Sequence, residues 1–194
     1  YMAEQLGVEL EIVDMSFDNL LISLNKGDFD IVLAAMSSNE ERAKAVDFSS
    51  EYYFSNNVIL VQKQNADKYS TKESLQGVSM AAQKGTVCEN RAKELAGEAS
   101  VVSLVKVQDM VSELLAGKVE TVLLDKPVAS GYVIMQDSLE MVDIGLVAEE
   151  GMSVAMKKDS AGLGELVNYL LSQLTEEQLD SWMGEAQVTA GVEE

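Results

Sequence analysis

Short apolar runs of strand length alternate with helix-patterned stretches along this chain, and the alternation begins afresh near residue 77. In the first half, Val8 to Asp14 alternates apolar and polar positions as a half-buried strand does. Ser16 to Asn25 predicts a helix with Leu20, Leu21 and Leu24 on one face and Gly27 as its stop. Phe29 to Ala35 has the length of a buried strand, a short helix follows over Glu40 to Val46, and Asn57 to Lys63 makes another strand. The second half repeats this order. Strand Gly77 to Ala82 leads into a helix opened by Thr86-Val-Cys-Glu89, a hydroxyl followed three residues later by a carboxylate, which is a capping pattern. Strand Val101 to Val105, helix Asp109 to Ala116, strand Thr121 to Asp125 and a helix begun by Pro127 come next. Strands Met141 to Val147 and Ser153 to Met156 precede helices Leu163 to Leu174 and Glu176 to Met183. Such βαβ order predicts an α/β fold of two lobes, each an open, mainly parallel sheet flanked by helices. The polar stretch Gln64 to Ser74 reads as the connection between lobes. Ligands of such sheets sit beyond the carboxyl ends of strands, which directs attention to the residues following Ala35, Ala82 and Leu124.

Composition removes several functions. Fourteen basic residues against 33 acidic ones leave a net charge of −19, which argues against partners held by phosphate neutralisation, nucleic acid and anionic membrane surfaces alike. With no histidine and a single cysteine, zinc sites, histidine triads and histidine general bases have no basis. Neither GxGxxG nor GxxxxGK[ST] occurs, and no cofactor is implied. No uncharged apolar run approaches the roughly 18 residues needed to cross a bilayer. Lone Cys88 in the first turn of a helix reads as a buried or idle thiol, and Glu149-Glu150 and Glu193-Glu194 as solvated surface.

Only two arginines are present, Arg42 and Arg91, so guanidinium forks for a carboxylate are scarce. In Ala35-Met36-Ser37-Ser38-Asn39-Glu40-Glu41-Arg42, small residues leave backbone accessible ahead of a helix that carries Arg42 in its first turn. This reads either as an anion grip or as an ordinary cap with Arg42 paired to Glu41 or Asp47. Gln83-Lys84-Gly85-Thr86 repeats the strand–turn–helix arrangement in the second half. Asp125, at the end of an apolar strand, holds either an ammonium group or the N-terminus of the Pro127 helix. Phe17 either stacks on a ligand or staples its helix.

Taken together, Gly27-Asp28-Phe29-Asp30-Ile31-Val32, Met36-Ser37, Glu41-Arg42-Ala43-Lys44-Ala45-Val46-Asp47-Phe48-Ser49 and Tyr52-Tyr53 make the chain similar to the extracytoplasmic solute-binding proteins of polar amino-acid ABC transporters. The resemblance runs through nearly the whole chain. It implies a two-lobed periplasmic-binding-protein type 2 fold, with residues 1–62 and 154–194 as one lobe, residues 63–153 as the other, and a ligand cleft between them. By resemblance, Arg42 clamps the α-carboxylate of an amino acid, and Ser37 gives it an N–H and gives its hydroxyl to the α-ammonium. The Ala35 carbonyl adds a contact where the family usually has glycine, and Met36 belongs to the same binding stretch. Phe17 stacks on the ligand's side chain, Thr86 binds the carboxylate, Gln83 reaches the side chain's polar end, and Asp125 takes the ammonium. The family begins with a strand and most of a helix ahead of the Tyr1 equivalent, and the strand normally lies between Val8–Asp14 and Phe29–Ala35. The resemblance therefore implies a longer protein, or another chain that supplies this strand, and otherwise a monomer.

The resulting expectation is a binder that closes on a free polar amino acid and hands it to a transporter permease outside the cytoplasm, free or tethered by a lipid anchor beyond these residues. Two other readings stand beside it: a cyclohexadienyl or arogenate dehydratase-like enzyme on the same scaffold, and the amino-acid-sensing domain of a receptor.

Overall fold

The computed structural model of the protein describes residues 1–189; Glu193 and Glu194 lie outside the described residues. Helices are α1 (Met2–Leu6), α2 (Leu20–Lys26), α3 (Glu40–Ala45), α4 (Val87–Ala96), α5 (Val107–Leu115), α6 (Lys126–Met135), α7 (Ala161–Ser172) and α8 (Glu176–Thr189). Strands are β1 (Ile31–Val32), β2 (Val46–Phe48), β3 (Asn57–Gln62), β4 (Met80–Gln83), β5 (Val101–Leu104), β6 (Thr121–Asp125), β7 (Leu139–Leu146) and β8 (Ala155–Lys157). The chain divides into two units. One joins Tyr1–Phe54 to Glu149–Asp180, and the other joins Ser55–Ala148 to the described residues from Ser181 onward.

In the first unit β8 lies between β1 and β2 and runs antiparallel to both, with Asp47 opposite Met156 and Val32 opposite Ala155. Strand side chains alternate between faces. Ala155 therefore packs with Leu20 and Leu24 of α2, while Val154 and Met156 pack with Val167 of α7. This double burial explains why Val154 to Met156 is apolar without interruption.

The second unit holds a five-stranded sheet in the order β5-β4-β6-β3-β7. Val58 and Leu60 of β3, with Val122 and Leu124 of β6, face Met110 and Leu114 of α5 and Ala129 of α6. Ile59, Val61 and Leu123 point the other way, toward Cys88, Ala92 and Ala96 of α4. These small residues recur every four positions, so α4 presents one shallow stripe that lies close to the sheet.

Four expectations need correction. Val8–Asp14 forms no strand: Leu10 is 65% and Ile12 82% exposed, and the segment has no ladder partner among the described residues. Alternation can mark an amphipathic segment, but a strand exists only when another edge takes up its hydrogen bonds. Gln64–Ser74 does not connect the units but belongs to the second, with 3-10 turns over Lys63–Tyr69 and Glu73–Leu75. Its polar residues hid a fully buried Tyr69, whose hydroxyl donates to Glu120 at 2.6 Å. The first boundary falls after residue 54 rather than 62, because β3 pairs with β6 and β7. On the return, residues 149–153 join the first unit and residues from Ser181 the second. Parallel pairing is confined to β4 with β5 and β6, where helical crossovers impose it. The β3 and β8 ladders are antiparallel: at both strands the chain enters a sheet from the other unit's sequence instead of from a βαβ crossover.

Candidate functional site

In the first unit the residues after β1 lead into α3. Ala35 is held at φ +51°, in the left-handed region where a side chain is disfavoured. Its backbone also bonds to the Tyr52 hydroxyl. Asn39 caps α3 by accepting the Arg42 N–H at 2.9 Å. Arg42 Nη1 donates to the Ser37 carbonyl at 2.9 Å, and its guanidinium lies 5.3 Å from the centre of the Phe17 ring, within cation–π range. Phe17, Ser37 and Arg42 thus form one cluster. Asp47, one of the two carboxylates considered for Arg42, bonds instead to Lys158 at 2.9 Å.

Burial lowers the pKa of Arg42, and the charges of Glu150 and Glu41 oppose that shift. A guanidinium stays protonated under such a shift, so the cluster is a fixed, partly desolvated cation. Glu150, read as plain surface, acts on Arg42 from 108 positions along the chain (150 − 42), a proximity no local pattern encodes. The Met36 side chain is 1% exposed, in the core with Leu24 and Val46, and its carbonyl accepts from Ser153 at 2.9 Å.

In the second unit Gln83–Thr86 and Asp125 stand at the carboxyl ends of β4 and β6, neighbouring parallel strands. Gly85 takes φ +79° to turn the chain into α4. The Thr86 hydroxyl donates to the Gln83 carbonyl at 2.7 Å and accepts the Glu89 N–H at 3.3 Å, so it caps the helix. Gln83 donates its amide N–H to the Val105 carbonyl at 3.0 Å, which ties it to its own unit.

Asp125 precedes α6 without a side-chain cap bond, so the capping alternative for its carboxylate does not hold. Thr121, Leu123 and Asp125 share the α4 face by strand alternation, as do Asn57 and Ile59 on β3. Asn57 stands directly opposite Asp125 in the ladder and donates Nδ2–H to its Oδ1 at 2.7 Å. Arg91 of α4 donates to the other end of the Asn57 amide. Burial pushes the Asp125 carboxyl up to about 6, with Asn57 and Arg91 pulling it back. Cys88 on the same face is buried, and burial raises its thiol pKa as well. Asn57 and Arg91 escaped the sequence reading, although the period-two register of β3 and β6 would have put Asn57 beside Asp125 once their pairing was known.

Among the described residues, no helix is long and apolar enough to cross a membrane, and no group of acidic or cysteine side chains is placed to hold a metal ion.

The family of bacterial extracellular solute-binding proteins, family 3, matches residues 1–184. The arginine-binding extracellular protein ArtP of Bacillus subtilis (strain 168) is 32% identical over 82% of this chain and 63% of its own length. A probable histidine-binding protein of Campylobacter jejuni is 33% identical over 81% of this chain and 61% of its own. The chain thus spans about three fifths of the length of these curated relatives. An amino acid ABC transporter substrate-binding protein of Streptococcus pneumoniae, solved bound to L-arginine, superposes with a TM-score of 0.91. It is 36% identical, and the match covers 100% of this chain and 82% of that one.

Proposed function

Because the chain belongs to the bacterial extracellular solute-binding proteins of family 3, we propose that it binds a free polar amino acid by its α-carboxylate and α-ammonium groups and delivers it to an ABC transporter permease. The observation that carries this reading is the Arg42 cluster, a partly buried guanidinium held by the Ser37 carbonyl and backed by the Phe17 ring. A planar fork held this way suits a carboxylate, which it meets with two parallel N–H donors. Ser37 and the Ala35 carbonyl add polar contacts around the amino acid, and Phe17 offers an aromatic surface to its side chain. Asp125, whose Oδ1 is taken by Asn57, is proposed as the partner of an ammonium group, and the Gln83–Thr86 turn as a source of further polar contacts. Relatives whose names record arginine or histidine binding support the ligand class. Binding and release suffice, with no covalent step, and the permease partner places the protein outside the cytoplasm.

Isothermal titration of the chain with L-arginine, L-histidine, L-lysine and L-glutamine tests the proposal. At least one binds, and Arg42→Ala weakens it by about 2 kcal/mol or more, roughly 30-fold, the cost of removing one partner of a buried charged pair. An unchanged affinity in Arg42→Ala would refute it.

A further inference from the structure

The charged groups around Asp125 are ordered in a way that its role as a bare ammonium partner does not use. Asn57 is 6% exposed, and both ends of its amide are engaged: Oδ1 accepts from Arg91 Nη1, and Nδ2 donates to Asp125 Oδ1 at 2.7 Å. Arg91 has only donors, so it fixes which end of the amide is the oxygen. That choice turns the NH2 end toward the carboxylate, where it stabilises the charged form. The three residues come from two strands and a helix, β3, β6 and α4, all within the second unit.

We propose that Arg91 and Asn57 are positioning residues, a relay that aims the Asp125 carboxylate and keeps it ionised for a ligand's ammonium group. The proposal rests on the reading of Asp125 as the ammonium partner. Oδ1 is committed to Asn57, which leaves Oδ2 as the oxygen that meets the ligand.

The need for such a relay follows from where Asp125 lies. Burial raises its pKa to about 6, and the Asn57 bond and the Arg91 charge oppose that rise. Lys84, in the turn after the neighbouring β4, is exposed. Cys88 on α4, which packs on the same face of the sheet, stays a neutral thiol because burial raises its pKa. Lys126, the next residue, is exposed. Without the relay, Asp125 takes up a proton nearer neutrality and loses the charge that recognises ammonium.

The test titrates the Asp125 carboxyl by carbon-13 NMR in the ligand-free protein, alongside L-arginine affinity from pH 5 to 8.5, for wild type, Arg91→Gln, Arg91→Lys and Asp125→Asn. The relay predicts that Arg91→Gln moves the Asp125 midpoint upward by about one pH unit, that Arg91→Lys recovers part of this, and that the acid limb of binding moves with it, about fivefold in affinity at the wild-type midpoint and approaching tenfold below it. A residue that only supported the fold would weaken binding equally at every pH. An unmoved NMR midpoint in Arg91→Gln overturns the relay whatever L-arginine does. A moved midpoint with L-arginine binding indifferent to Asp125→Asn leaves the ionisation relay standing and overturns Asp125 as the ammonium partner. Because Arg91 is only half-buried, its variants are expected to fold even where an Asn57 variant would not.

Discussion

Glu89 accepts the Gly85 backbone N–H at 2.7 Å through one carboxylate oxygen, while the other takes Lys93 at 2.9 Å and Ser103 at 2.6 Å. One side chain thereby ties the turn after β4 to α4 and β5. Burial pushes the Glu89 carboxyl up, but its bonds to Ser103, Lys93 and Gly85 outweigh this and hold it down at about 2. A carboxyl lowered on folding contributes stability above its unfolded pKa, and that contribution is lost as pH falls through the folded value. Glu89→Gln is expected to cost about 1 kcal/mol at pH 7, with the gap to wild type closing as pH falls from about 4.5 toward 2. Chemical denaturation across that range checks it; a gap independent of pH would contradict it.

Ala35 occupies a left-handed backbone position at φ +51° with a Cβ attached, a conformation that costs about 1–2 kcal/mol for an L-residue. Part of any gain from glycine is returned through the more flexible unfolded chain, about 0.4–1 kcal/mol. Ala35→Gly should therefore stabilise the protein by about 0.5 kcal/mol and leave ligand affinity intact, since only the backbone is proposed to contact the ligand. Ala35→Val should destabilise it. Urea midpoints of the two variants decide the matter, and a glycine variant less stable than wild type would be the contrary result.

The raised pKa of Asp125 has the opposite sign to that of Glu89. A carboxyl whose pKa is about 6 in the folded protein, against about 3.9 in an unfolded chain, favours folding below the unfolded value and progressively less as pH rises through 6. Asp125→Asn is thus expected to stabilise the ligand-free protein at pH 8 by up to about 3 kcal/mol, with little gain near pH 4. It should abolish amino-acid binding at the same time, the exchange of stability for function that binding residues commonly show. Thermal unfolding of both proteins at the two pH values gives the answer, and a destabilised variant at pH 8 would count against a charge held at a cost.

Much of the fold was legible because the patterns that carry it are local. Thr121–Asp125 was placed without error, Thr86 caps its helix, and Gly27 ends α2 in the left-handed conformation. The readings that failed depend on partners far away in sequence. Val8–Asp14 has the alternation of a strand but no described edge to pair with, and Gln64–Ser74 looked like a linker because its one buried residue, Tyr69, is anchored by Glu120, 51 positions on. In the site, the motif around Arg42 could be read because its cap, its carbonyl partner and its helix lie within a few residues. Asn57 and Arg91 could not, since they meet Asp125 only through a strand ladder and a packed helix.

The central claim, that Arg42 binds the α-carboxylate of an amino acid, is tested most directly by a double cycle of protein and ligand. Titrations of wild type and Arg42→Ala are compared for L-arginine and for L-argininamide, in which a neutral carboxamide replaces the carboxylate, at a pH where both α-amino groups are protonated. Wild type is predicted to prefer the acid over the amide by roughly 30-fold, and Arg42→Ala to lose that preference, a coupling of about 2 kcal/mol. An arginine-free site that still discriminates acid from amide as strongly as wild type would contradict it.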